Sequence, residues 1–378
     1  MHTGNAFHVD VGQQQQVHSG FCAPRHGVLT VAVERRLVQM GVCVDPLHLA
    51  CEDSWRGYLW CVTQQAHDEA PAPRFLIARF SALGDIVLMQ PLVHALRAHY
   101  GPEARIDLIC LRRSASAAKL LAALDDVHLI DRGTAEAVPT LKALGFDYLL
   151  DFHGNVRSRS LARQLDAMTL RVDKASFARW MLLRGWRKEP VRPFVERCFD
   201  VVRPFGVMPP SPESSGPDAW GGFQLGSVPK DVPEGHLALS LSSSQPGKHL
   251  SDEVVNEAIA TASERNVPVV VYGGPTEAPR AAAIQANHPE VNVIAGDIDL
   301  QATTAALATA KALVTGDTAT MHLGAGLGVP VGSVWGCTQP SLGLAPWRPH
   351  PDSRTFTPSD RTAPCSNCLL YTSPSPRD

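Results

Sequence analysis

From Arg74 onward, short apolar runs of strand length alternate with stretches whose apolar residues recur at helical spacing. "RFLIARF" (Arg74–Phe80), "RIDLICL" (Arg105–Leu111), "VHLI" (Val127–Ile130), "DYLLDFH" (Asp147–His153) and "LRV" near Arg171 predict strands. Helical spacing covers Ala115–Leu124 and Thr134–Leu144 between them. Strands separated by helix-length segments cannot pair as tight hairpins, so the pattern implies β-α-β units and a parallel sheet.

The alternation stops in "GVMPPSPESSGPDAWGGFQLGSVPKDVPEG" (Gly206–Gly235), a Pro/Gly/Ser-rich stretch with no convincing periodic element, which reads as a connector. It then restarts. "HLALSLS" (His236–Ser242), "VPVVVYGG" (Val267–Gly274), "VNVIAG" (Val291–Gly296), "ALVTGD" (Ala312–Asp317) and "VPVGSVWG" (Val329–Gly336) predict strands. Helices are expected over Ser251–Arg265, near Glu277–Ala286, over Leu300–Ala310 and after Thr318. The reading is two Rossmann-like, doubly wound α/β domains in tandem, over residues 73–206 and 236–367, with 207–235 as linker. Ligands of such folds sit at the carboxyl ends of the strands, so the cleft between the domains is the expected site.

Both ends depart from this pattern. Residues 1–72 have poor apolar periodicity apart from a strand expected at "GVLTVAV" (Gly27–Val33), and they carry Cys22, Cys43, Cys51, Cys61 and a Gln13–Gln16 run. They read either as a small extra domain or, the preferred reading, as upstream sequence translated from too early a start. "CLLYTSPSPRD" (Cys368–Asp378) can be encoded by DNA resembling a transposase sequencing adaptor, so residues 368–378 are set aside and the second domain is expected to be truncated. That reading undermines Cys365-x-x-Cys368 as a zinc half-site, because Cys368 falls in the segment set aside.

Composition narrows the class. With 44% hydrophobic and 19% charged residues the chain can bury a core. A net charge of −3 argues against a general nucleic-acid binder. Nine scattered cysteines suit a reducing compartment better than a disulfide framework. No apolar run is long enough to span a membrane. One segment is locally basic: residues 157–203 hold twelve Lys/Arg against five Asp/Glu, with Phe177, Trp180 and Trp186 interleaved. It is an ordinary solvated face, a rest for an anionic lipid surface, or a holder of an acidic ligand.

The candidate chemistry lies where strands hand over to helices. Gly84-Asp85 follows the first strand; Asp85 either caps the next helix or faces the cleft as a general base. No GxGxxG motif is present there, which disfavours a nicotinamide dehydrogenase. "VTGDTATMHLGAGLGVP" (Val314–Pro330) repeats this layout, and backbone N–H groups at Asp317, Thr318, Ala319 and Thr320 open an anion site at a helix start. His322 lies on the first turns and either touches a ligand or packs, while Gly324, Gly326 and Gly328 suggest close approach to the backbone. Ser243, Ser244 and Lys248 follow the first strand of the second domain, where a lysine can neutralise a diphosphate. Glu277 begins a helix after Gly273-Gly274; it complements the dipole or accepts from a ribose.

Together, "RFSALGDIVLMQPLVHALR", "DFHGNVRS" (Asp151–Ser158), "PGKHLSDE" and "GDTATMHLGAGLGVPVGSVWGCTQP" resemble the motifs of glycosyltransferase family nine, the ADP-heptose:lipopolysaccharide heptosyltransferases, over roughly Arg74 to Cys365. The resemblance departs at Ala319 and Thr320, where the signature has Gly-Leu, and at His249-Leu250, where it has Arg-Trp. It implies a GT-B architecture, with an acceptor-binding first domain, a nucleotide-sugar-binding second domain and chemistry in the cleft between them. It implies inversion without a metal or other cofactor, by a monomer at the cytoplasmic face of the inner membrane. Asp85 would be the general base, and Lys248 with the Asp317–Thr320 helix start would stabilise departing ADP. Ser243, Ser244, Glu277, Asp317 and His322 would contact the donor, and Ser81, Gly84, Asn155 and Arg157 a lipid A–core acceptor. The rivals are a GT-B nucleotide-sugar epimerase, which leaves the basic segment unexplained, and a non-catalytic nucleotide-sugar binder.

Overall fold

The computed structural model describes residues 71–243, 246–336 and 338–357, and the backbone of 27–33 and 36–42. The latter form an antiparallel hairpin of β1 (Gly27–Val33) and β2 (Arg36–Val42), a separate compact unit from the rest. Ser244 and the tail from residue 358 lie outside the described residues.

The larger unit contains two parallel sheets. The first has the order β5-β4-β3-β6-β7, from β3 (Arg74–Ala78), β4 (Arg105–Leu111), β5 (Asp126–Ile130), β6 (Tyr148–Asp151) and β7 (Met168–Arg171). The second has the order β10-β9-β8-β11-β12-β13, from β8 (Leu237–Ser240), β9 (Val269–Gly273), β10 (Asn292–Ala295), β11 (Ala312–Thr315), β12 (Val331–Val334) and β13 (Arg354–Phe356). In each sheet the first strand in sequence is central and the order reverses beside it, the doubly wound arrangement that opens a crevice at the strands' carboxyl ends.

Why these runs form central strands follows from their faces. Phe75 and Ile77 point into one core and Leu76 and Ala78 into another, so both faces of β3 are covered and the run reads as continuously apolar. In the second domain Val269 and Val271 fill the outer core, whereas Val270 and Tyr272 join the cluster that holds Phe75 and Ile77. One apolar core thus runs through both sheets, with an outer core behind each.

The helices are α1 (Leu83–Val87), α2 (Gln90–Tyr100), α3 (Ala115–Ala118), α4 (Val138–Leu144), α5 (Val156–Gln164), α6 (Ser176–Leu183) and α7 (Phe194–Val202). After the connector come α9 (Asp252–Glu264), α10 (Ala278–Asn287), α11 (Leu300–Ala308) and α12 (Ala319–Leu327). The connector itself is not featureless: α8 (Gly216–Trp220) lies within it, with Trp220 fully buried. The helix expected over Ala115–Leu124 is only one turn, and β13 was not foreseen. Short length explains both, because a single turn or a three-residue strand leaves no periodicity to read.

Candidate functional site

The carboxyl ends of β3 and β11 meet through two helix starts. α1 and α12 approach so closely that a Cβ on Gly84 would lie 3.4 Å from both the Ala319 Cα and the His322 Cδ2. Asp85, the next residue, is therefore at the seam between the two domains. The Ala82 N–H donates to Asp85 Oδ2 at 3.2 Å, so Asp85 does stabilise its own helix start. Its stronger partner is Arg79, which forms an ion pair with the same oxygen. Burial pushes the Asp85 carboxyl up, but the Arg79 charge and hydrogen bonds outweigh it and hold the group below its ordinary value. About a third of the side chain (36%) remains open to solvent.

Arg79 is itself anchored: Nη1 donates to the Phe152 carbonyl at 2.5 Å and the guanidinium lies 5.0 Å from the Phe194 ring centroid. Lys174 and Arg179 extend the cationic surroundings. Burial, then Arg79, lowers Lys174, and burial lowers Arg179 against the pull of Asp85. His153 packs edge-on against Phe80, and burial with Arg79 pushes it down to about 3, so it is neutral at pH 7.

Across the seam, Lys248 Nζ pairs with Asp317 Oδ2 at 2.7 Å, both side chains nearly buried. Thr338 Oγ1 donates to the same oxygen at 2.8 Å. The 3₁₀ turn Pro246–Lys248 can reach this position because glycines face it: a Cβ on Gly316 would collide with the Lys248 carbonyl, and one on Gly336 with the Gly247 carbonyl. Thr318 is the N-cap of α12 in extended conformation, its Oγ1 3.2 Å from Thr315 Oγ1. Ser240 Oγ donates to Thr320 Oγ1 at 3.1 Å. The N–H groups and positive dipole end of α12 lie beside the Lys248–Asp317 pair, an arrangement of the kind that binds anions at helix starts.

His322 joins the two sides. It is buried, its Nδ1 has no hydrogen-bond partner among the described residues, and burial lowers its pKa. Asp317 and Asp85 pull it up and Lys248 pushes it down, so it feels the carboxylates of both domains at once.

The other expected residues are less central. Ser81 lies on the loop between β3 and α1, and Ser243 on the loop after β8, both half-buried. Glu277 closes its own turn, accepting from the Gly274 N–H at 2.9 Å. Asn155 caps α5, accepting from the Ser158 N–H at 2.9 Å, while its Nδ2 is buried without a partner among the described residues. Arg157 rests 5.6 Å from the Phe80 ring centroid and lines a recess of about 420 Å³ with Arg112, Arg113 and Arg132, and with Asp131, which pairs with Arg112 at 2.7 Å. Sequence reasoning missed Arg79 and Thr338, and took in Lys174 and Arg179 only as part of the basic segment 157–203. Arg79 carried a signal as the one charged residue in the otherwise apolar run Phe75–Phe80.

Among the described residues, Asp107, Asp126 and His128 bring ligand atoms within 4.8 Å of one another. That cluster is at the other end of β4, and Arg105 donates to both Asp107 oxygens at 3.1 Å, so Asp107 is already paired.

Comparisons with known proteins place this geometry. The sequence profile of glycosyltransferase family 9 (heptosyltransferase) matches residues 136–372. No curated protein sequence matches the chain. Among solved structures, a family 9 glycosyl transferase from Veillonella parvula DSM 2008 is similar with a TM-score of 0.61 and 16% identity, covering 81% of this chain and 92% of that one. E. coli heptosyltransferase WaaC with ADP gives 0.60 and 22%, over 79% and 98%. E. coli ADP-heptose lps heptosyltransferase II gives 0.58 and 18%, over 77% and 92%. These likenesses carry the fold, two α/β domains of GT-B type facing a cleft.

Proposed function

Because this chain belongs to glycosyltransferase family 9, we propose that it transfers a heptose, or a related sugar, from ADP-heptose to a lipid A–core acceptor of the lipopolysaccharide pathway, with inversion and without a metal. Asp85 takes the proton of the attacking acceptor hydroxyl. The new glycosidic C–O bond forms on the face opposite the leaving group as the bond to the β-phosphate oxygen breaks. ADP departs with the electron pair, and its growing charge is met by Lys248 and the N-terminus of α12.

The observation that carries this reading is the contact of Gly84 with Ala319 and His322, which brings a carboxylate from one domain to the anion-binding helix start of the other. Asp317 serves here by holding Lys248 in place, and His322 and Glu277 face the donor sugar and nucleoside. Thr320, in place of the usual leucine, is tied to Ser240 and leaves the cradle's backbone donors available. Support for an ADP donor comes from the E. coli relative solved with ADP. Support for an acidic acceptor comes from the cations on the first domain's side: Lys174 and Arg179 near Asp85, and the arginine-lined recess at Arg157. Reaction at the cytoplasmic membrane face fits these ligands, and no described helix is long and apolar enough to cross a membrane.

The test is Asp85→Asn, assayed for ADP release from ADP-heptose with and without acceptor. Removing a general base costs on the order of 10²- to 10⁴-fold in turnover. A folded Asp85→Asn protein with near-native turnover sinks the assignment; sugar isomerisation without acceptor, or binding without release, sinks the transferase itself.

A further inference from the structure

α6 has two unlike faces. Inward, Leu182 joins Val191 and Leu342 in a small apolar cluster, and Arg179 Nε donates to the Leu342 carbonyl at 3.1 Å. Outward, the same helix and the turn after it present Phe177, Trp180 and Trp186, which are 69%, 39% and 69% exposed. The three rings form one continuous array: Phe177 stacks on Trp180 with centroids 5.7 Å apart, and Trp186 meets Trp180 edge-on at 5.0 Å. Contiguous aromatic surface of this kind on a folded protein marks a contact site.

The charge around the array says what the contact is. From Lys174 to Lys188 the chain has Lys174, Arg179, Arg184, Arg187 and Lys188 between Asp173 and Glu189, and Glu189 pairs with Arg187 at 3.4 Å, so Arg184 and Lys188 are the main cations beside the rings. The Arg184 guanidinium lies 5.5 Å from the Trp180 ring centroid, and Arg184 and Lys188 are exposed. Tryptophan and phenylalanine rings edged by cations match the headgroup layer of an anionic bilayer, where rings settle between lipids and cations meet phosphates. The array is one short helix and a turn, deep enough for the interface and too short to cross it.

We propose that Phe177, Trp180 and Trp186, with Arg184, Arg187 and Lys188, form the surface by which this protein docks on an anionic lipid bilayer. The proposal stands on this patch and does not need the transferase reading. The two fit together, since Arg179, on the same helix as the rings and held by the Leu342 carbonyl, lies within the field of Asp85.

The full chain is sedimented with vesicles of phosphatidylcholine alone and of phosphatidylcholine mixed with phosphatidylglycerol, without donor or acceptor. Binding is expected only with the anionic lipid, falling as salt rises. Phe177→Ser with Trp186→Ser should weaken it by about tenfold or more, with the circular dichroism spectrum unchanged because both rings are exposed. Trp180 and Trp186 fluorescence should be quenched by bromine on the acyl chains near the headgroup. Equal binding to neutral vesicles, no binding, or undiminished binding by the double variant overturns the proposal. None of these outcomes alters turnover of a water-soluble acceptor, which tests the transferase separately.

Discussion

At the residue scale the site turns on Arg79 and Asp85. A partly buried carboxylate left alone would hold its proton into the range where a base must be free, since burial penalises the charged form. Arg79 reverses that by pairing with Oδ2, at the cost of making Asp85 a weaker base. The expected consequence is a pH profile whose acid limb does not arise from Asp85 near neutrality. Arg79→Met removes the ion pair and leaves burial in control, so the Asp85 carboxyl rises and the acid limb of kcat/KM moves to higher pH. A profile of Arg79→Met superimposable on the parent's would show that Arg79 does not hold the base ionised.

At the element scale the connector is the informative piece. α8 presses Trp220 into the core, where its Nε1–H donates to the Trp347 carbonyl at 3.1 Å and its ring meets Trp347 and Phe223. α12 lies flush on this group: a Cβ on Gly326 would come within 2.6 Å of Phe223 and 2.9 Å of Trp220. Gly324 seats the same helix against Leu313 and Val331 of the sheet, and Gly328, at φ +74°, ends it. The helix on which the anion site is proposed is thus positioned from behind by the segment between the domains. Trp220→Ala should cost about 3–5 kcal/mol, the usual range for emptying a buried aromatic site. The check is urea denaturation, and a loss below about 1 kcal/mol, the scale of a surface change, would show that the connector is not structural.

At the scale of the whole molecule, one apolar core runs through both sheets, His236 and His322 are buried, and His153 is half-buried. His153, His236 and His322 are all held down, principally by burial. The native state therefore binds fewer protons than the unfolded chain below about pH 6.5, the ordinary histidine value. Their contribution to stability is full above that value and is lost as pH falls. Asp85, also depressed, adds a second loss only at lower pH, below the ordinary carboxylate range near pH 4. The thermal midpoint should drop between pH 7 and pH 5, and His153→Gln, with nothing to protonate, should show a shallower drop. Equal slopes for the two proteins would assign the acid loss elsewhere.

What the chain alone determined was the alternation of strands and helices, short elements such as α8 and β13 excepted, and the turns between them. Continuous apolar runs at β3 and β9 are legible because strands covered on both faces leave no polar alternation. Asp85, Lys248 and the Asp317–Thr320 start are legible because strand-to-helix turns carry glycines and polar residues at recognisable spacing. Only the tertiary structure decided which of them meet. That Gly84 touches Ala319 and that Asp317 holds Lys248 depend on contacts between segments distant in sequence, and the pairing of Arg79 with Asp85, six residues on, depends on how the turn after β3 folds. Spacing along a chain records local backbone geometry, whereas such contacts are set by how helices and sheets fill space against one another.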